Sequence, residues 1–227
     1  RITASELRAL GVDSNCAPLI DIAAPEAHPF LRNRCYGTDP VTVARLGQAV
    51  ADAHLDGGVL PIIKHMPGHG RATVDSHDAL PHIDADLDIL MQTDFASFKA
   101  LNALPMGMTA HIVVEALDDK PATLSPTTME MMRTELGFDG LIMTDDTGMQ
   151  ALQGTQAEIA TGALAAGCDV VLCCNRSLDD RRAVAEAAGK MTDAAQRRAD
   201  AALVCRKTPD SVDIPALSAD LEALLAG

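Results

Sequence analysis

A chain of 227 residues with 48% hydrophobic residues is long enough for one sizeable core, and its formal net charge of -14 argues against a general nucleic-acid or anionic-membrane surface. No apolar run is long enough to span a bilayer. The six cysteines, Cys16, Cys35, Cys168, Cys173, Cys174 and Cys205, contain no Cys-x-x-Cys pair. That argues against a zinc ribbon or a disulfide framework and for reduced, mostly buried thiols of a cytoplasmic protein.

The stretch Arg1 to Glu6 reads as helix rather than as a signal peptide, and a start other than Met suggests a processed or truncated chain. Apolar, β-branched stretches then alternate with helical patterns. A first strand is expected over Val12 to Ile22. A helix with Val43, Leu46, Val50 and Ala51 on one face follows over Pro40 to His54. A second strand runs from Gly58 to His65, and a helix with an acidic first turn from Ala85 to Leu101. A third strand spans Ala103 to His111. Ser125-Pro126 reads as an N-cap with proline at the first helical position, opening a helix over Thr127 to Leu136 that Gly137 stops. A fourth strand over Gly140 to Asp145, a helix over Gln156 to Ala166 and a fifth strand over Asp169 to Cys174 complete the pattern. From Leu178 onward the chain reads as helical, with Ala201 to Gly227 a tail carrying one short closing helix. This alternation predicts βαβ units and a parallel sheet. A closed βα barrel needs eight strands, so five predict an open sheet or a barrel without its first three units.

Each expected strand ends in polar residues: Asp21, Lys64-His65, His111, Thr144-Asp145-Asp146 and Asn175. Several polar strand ends at one edge of a parallel sheet outline a site. Asp145 suits a nucleophile, a metal ligand or a helix N-cap, with Asp146 the better cap. Asp75-Ser76-His77 places a carboxylate and an imidazole on one side of an extended loop. Such a pair suits a general acid/base, and a solvated loop histidine is the plain alternative. Lys64 and His65 could equally cap carbonyls at the sheet rim. His65 and His69 stand at metal-ligand spacing, but Pro67 and Gly68 between them break a helix. His28, His54 and His82 carry no pattern and read as surface residues.

Taken together, the stretches Ala17-Pro18-Leu19-Ile20-Asp21, Arg34-Cys35-Tyr36, Lys64-His65-Met66-Pro67-Gly68-His69-Gly70, Asp75-Ser76-His77, Thr109-Ala110-His111, Glu135 to Gly140, Thr144-Asp145-Asp146 and Ala166 to Asp169 resemble glycoside hydrolase family 3, in particular its bacterial β-N-acetylhexosaminidases of cell-wall recycling. The Lys-His-x-Pro-Gly-x-Gly run followed by Asp-Ser-His is the specific part. Met66 stands where the family usually has Phe, Thr144 where it has Ser, and Thr147-Gly148 where it has Leu-Ser. The family's Asp-Gln-Glu-Gly-Gly stretch, whose Asp binds the terminal sugar, has no match here.

The resemblance implies an α/β fold of the (β/α)8 barrel family, with about five C-terminal units present. It implies one catalytic domain over residues 1–227, incomplete at its N-terminal side by about 100 residues, with 201–227 a helical tail. By the same resemblance Asp145 matches the nucleophile, His77 the acid/base and Asp75 its polarising partner. Arg34, Lys64 and His65 match residues that bind sugar hydroxyls, and His111 is placed with them. No cofactor and no metal are implied. The partners are a small N-acetylglucosamine-containing substrate and, through an open barrel edge, a missing segment or a second copy. Four other readings stay open: a metal-dependent barrel hydrolase using His65, His69, His77, His111 and Asp145, an inactive or partner-dependent fragment, a family 3 β-glucosidase, and a phosphorylase with the same nucleophile. Aromatic residues make up 2% of the chain, so sugar binding would rest on hydrogen bonds more than on ring stacking.

Overall fold

The computed structural model describes residues 1–76 and 78–227. The elements follow in the order α1 (Ile2–Ala9), β1 (Ser14–Asn15), α2 (Pro29–Arg32), α3 (Pro40–Asp56), β2 (Leu60–Met66), β3 (His82–Ile83), α4 (Leu87–Gln92), α5 (Ala96–Ala100), β4 (Met106–Thr109), β5 (Val113–Val114), a 3-10 turn (Ala122–Leu124), α6 (Pro126–Thr134), β6 (Leu141–Asp146), α7 (Gln156–Ala166), β7 (Val170–Leu172), α8 (Leu178–Ala188), α9 (Asp193–Val204) and α10 (Ile214–Ala226). Five strands form one sheet in the order β1-β2-β4-β6-β7, every pair parallel. The α/β class and the parallel sheet are as the sequence predicts. The sheet is open, with β1 and β7 each paired on one side only among the described residues. β3 and β5 form a separate parallel pair.

Buried strands need apolar residues on both faces. β2 is buried along its length except at Lys64, whose side chain is half-buried at the carboxyl end. Phe95, Phe98 and Phe138 are fully buried in the core with Ile20, Ile63, Met66 and Met132. Each such side chain contributes about 1.5–3 kcal/mol on leaving water. The helix start read at Ser125-Pro126 is present, and the structure adds caps that the sequence reading did not name. Asp39 caps α3 and Ser125 caps α6, each with Pro at the first turn. Thr155 and Glu158 form a capping box on α7. Gly167 ends α7 in the left-handed region at φ 118°, where a side chain would be strained.

Four expectations are corrected. The first strand is short: regular pairing covers Ser14–Asn15, and beyond it the chain stays extended beside β2 through Ile62 N–H to Ala17 and Ile20 N–H to Lys64. Pro18 lacks a donor to continue the ladder. The helix over Ala85 to Leu101 is two helices, because Thr93 leaves helical geometry at φ -120°, ψ -92°. Asp94 accepts from Arg71 there, and Phe95 enters the core. His54 is buried rather than exposed, bonded to Asn15 Nδ2 at 2.9 Å and to the Val50 carbonyl at 2.7 Å. The thiols are not mostly buried: Cys168 is, Cys205 is exposed and the other four are half-buried, all unpaired.

At the amino edge of the sheet, Asp169 is the anchor. Its Oδ2 accepts from Arg133 Nη2 at 2.7 Å and the Ile142 amide at 2.9 Å, and its Oδ1 accepts from Arg198 Nη1 at 3.0 Å. Arg133 also donates to the carbonyls of Phe138 and Gly140. The Asp169 side chain is 4% exposed, so Asp169→Ala leaves buried donors unmatched. A loss of about 3–5 kcal/mol is expected in urea unfolding. A loss under 1 kcal/mol would show that the cluster is solvated.

Candidate active site

The carboxyl ends of β2 and β6 face one another. On β2, the His65 ring is buried and directs Nδ1 at Asp21 Oδ2, 2.7 Å away, and Nε2 at Asp145 Oδ2, 3.8 Å away. Asp21 is fully buried and accepts two further contacts, from the backbone amides of His65 (3.2 Å) and His69 (2.7 Å). Burial alone would raise its carboxyl pKa. The charge and hydrogen bond of His65, with help from His69, outweigh burial and hold it below the usual range. Asp21 is therefore an acceptor only, and its partner Nδ1 must carry the proton.

Asp145 sits at the tip of β6 with its side chain 20% exposed. Its Oδ1 accepts from the Asp146 amide at 2.8 Å, which leaves Oδ2 beside His65. Asp146 is not a helix N-cap, because α7 begins ten residues later at Gln156. Its Oδ1 instead accepts from Gly148 N at 2.9 Å and Cys174 N at 2.8 Å, which ties the loop after β6 to the end of β7. Beside this loop a cavity of about 400 Å³ is lined by Gln150, Gln153, Gln156, Arg176 and Asp180.

His111 sits behind the carboxylates. Burial lowers its pKa, which favours a neutral ring. Nε2 donates to the Asp146 carbonyl at 3.0 Å, and Nδ1 accepts from the Thr123 hydroxyl at 2.8 Å. Both nitrogens are engaged within the protein, so the geometry does not favour the expected direct sugar contact. The Lys64 side chain makes no hydrogen bond or ion pair with a described residue. It lies close enough to Cys16 to oppose the rise that burial imposes on that thiol, and Asp145 adds to the rise. Lys64 and Asp145 thus share one electrostatic neighbourhood. Arg34 lies farther out, its guanidinium 5.2 Å over the Phe30 ring.

The Pro67–Ala72 loop lies flush on the Ile20–His28 segment. Ala24 N donates to the Gly70 carbonyl and His28 N to that of Ala72. A Cβ at Gly70 would run into the Ile22 carbonyl oxygen, so only glycine fits there. Beyond it, the Asp75 carbonyl accepts from Asp78 and Ala79 in a tight turn, with Asp75 half-buried. His77, the expected acid/base, lies outside the described residues.

Sequence reasoning placed Asp21 among the polar strand ends that outline the site but gave it no role, and it gave His69 no settled role. The signal for Asp21 was available, since a carboxylate inside an apolar strand must find donors. His69 is 2% exposed, and neither ring nitrogen has a hydrogen-bond partner among the described residues. Its ring centre is 5.6 Å from that of His65. Burial, then the charge of His65, pushes its pKa down to about 4. Between pH 6.5 and about 4 the unfolded chain binds a proton there that the native state refuses, so stability falls as pH falls, by up to about 1.4 kcal/mol per pH unit. His69→Leu removes an unmatched polar ring. It should raise stability at pH 7 by about 1–2 kcal/mol and flatten this acid limb. Destabilisation with an unchanged limb would show that the ring has a partner in solution. Among the described residues, no group of three or more His, Cys, Asp or Glu side chains is arranged to hold a metal ion. Among the described residues, no helix is long and apolar enough to cross a membrane.

The class these features define is an α/β fold with its polar groups gathered at the carboxyl edge of a parallel sheet. A model of the glycosyl hydrolase family 3 N-terminal domain matches residues 1–204, and the chain belongs to that family. It is 37% identical over 180 residues to the β-hexosaminidase of Chromobacterium violaceum, a match covering 77% of this chain and 50% of that protein. Among solved structures it superposes on a family 3 β-N-acetylglucosaminidase from Paenibacillus with a TM-score of 0.81 and 32% identity, over 93% of this chain and 44% of the other. NagZ from Neisseria gonorrhoeae gives a TM-score of 0.77 and 31% identity, over 96% and 62%. The chain thus spans about half the length of the curated relatives it matches.

Proposed function

We propose that this site belongs to a retaining exo-β-N-acetylglucosaminidase that releases terminal N-acetylglucosamine from peptidoglycan-derived fragments in the cytoplasm. The observation that carries the reading is the meeting of a partly exposed Asp145 at the β6 tip with the buried, carboxylate-oriented His65 at the end of β2. Asp145 Oδ2 attacks the anomeric carbon and forms a glycosyl-enzyme, while Oδ1 stays held by the Asp146 amide. His77, polarised by Asp75, protonates the leaving oxygen and then activates water, and two displacements retain configuration. Lys64, His65 and Arg34 bind sugar hydroxyls. His111 acts through the backbone at Asp146 rather than on the sugar. The relatives' names, which specify hexosaminidase and N-acetylglucosaminidase activity, support this substrate class.

Hydrolysis of an aryl N-acetyl-β-glucosaminide, followed by intact mass after a fluorinated substrate, tests it. Turnover with an adduct on Asp145 is expected. A soluble, folded chain with neither would favour a second reading, that this half-length chain holds the catalytic groups but needs more of the barrel. The open β7 edge, with Val170, Val171 and Leu172 all half-buried, is the observation behind that reading.

A further inference from the structure

We propose that Asp21 is a positioning residue for this chemistry: it fixes the His65 tautomer so that an unprotonated Nε2 faces the nucleophilic oxygen of Asp145. The inference rests on the function proposed above. Asp21 has no exposed surface, and its hydrogen bonds among the described residues go to His65 and the loop amides. A buried carboxylate costs several kcal/mol unless charge and donors compensate. Here the donors are the Nδ1–H of His65 and the amides of His65 and His69. His69 is bonded to Asp21 only through its backbone, so among the described residues His65 is the one imidazole ring that the carboxylate orients.

The consequence lies at Nε2. When the ring is in its neutral form its one proton sits on Nδ1, and Nε2 then offers a lone pair. A lone pair 3.8 Å from Asp145 Oδ2 cannot tie up that oxygen, and it can accept a sugar hydroxyl placed between them. With the opposite tautomer, an Nε2–H would point at Oδ2 and engage the attacking oxygen before substrate arrives. In other catalytic sites, replacing the carboxylate behind a histidine by its amide leaves the geometry intact and costs about 10⁴-fold in kcat through the wrong tautomer.

Asp21→Asn is the test. The amide oxygen still accepts from the loop amides, while its NH₂ faces Nδ1 and favours a proton on Nε2. Long-range ¹H–¹⁵N spectra of the full chain at pH 8 should show His65 as the Nδ1–H form, and the Nε2–H form in Asp21→Asn. In the active enzyme, kcat for an aryl N-acetyl-β-glucosaminide should fall about 10²–10⁴-fold in the variant. In a His65→Gln background, which has no tautomer to set, the same change should cost less than about threefold. Equal cost in both backgrounds would overturn the proposal and leave Asp21 a loop anchor. A neutral Nε2–H form in the unaltered chain would overturn it too, and that spectrum decides the matter even if the variant fails to fold. A correct tautomer in a chain without turnover would sink the proposed function and leave this inference standing.

Discussion

Asp145→Asn is expected to reduce kcat by about 10⁴–10⁶-fold, the range seen when a covalent nucleophile is removed from a site whose other groups remain. An amide is isosteric with the carboxylate, and its oxygen can still accept from the Asp146 amide, so the β6 tip keeps its shape. The side chain is partly exposed and carries no ion pair among the described residues beyond the 3.8 Å approach of His65. Stability should therefore change by no more than about 1 kcal/mol. Steady-state hydrolysis, mass analysis after the fluorinated substrate and a urea titration check the three parts together. Residual activity above 1% of the starting rate in a clean preparation would remove Asp145 as nucleophile. Loss of activity with loss of fold would make the substitution uninformative about chemistry, and the isosteric amide is chosen to avoid that.

His77→Ala should lower turnover by about 10²–10⁴-fold on a substrate with a poor leaving group, the contribution of general acid/base catalysis. On an activated aryl glycoside, whose leaving oxygen needs little protonation, the loss in the first displacement should be much smaller. The contrast between substrates is the diagnostic. Equal losses on both would assign His77 to binding or to loop structure. Asp75→Asn should follow the same pattern with a smaller loss, because an amide orients the imidazole without supporting its charge. The hydrogen bonds from Asp78 and Ala79 go to the Asp75 backbone carbonyl, which that substitution keeps.

Much of the fold could be read directly. Ser125-Pro126, Gly137 and Gly167 mark helix ends in the chain as they do in space, because caps act over three or four neighbouring residues. The apolar runs ending in Lys64-His65 and Thr144-Asp145-Asp146 are strands of a parallel sheet, since a strand buried on both faces admits no regular polar alternation. The break at Thr93-Asp94-Phe95 was hidden. Nothing local forbids a continuous helix there. It is the distant Arg71, and the core space that takes Phe95, that make leaving the helix favourable. The closing helix α10 runs thirteen residues with none buried, longer than the short helix its composition suggested.

For the site, the sequence by itself determined which residue types stand at the strand ends and that the chain resembles family 3 hydrolases. Strand periodicity and the Lys-His-x-Pro-Gly-x-Gly run are local patterns, legible without coordinates. Only the tertiary structure decided who partners whom. Asp21 and His65 are separated by 44 residues, and His111 and the Asp146 carbonyl by 35. No local propensity encodes such pairs. They form because adjacent parallel strands bring their carboxyl ends to one edge, and because a buried carboxylate or imidazole must find its hydrogen bonds wherever the packed chain supplies them.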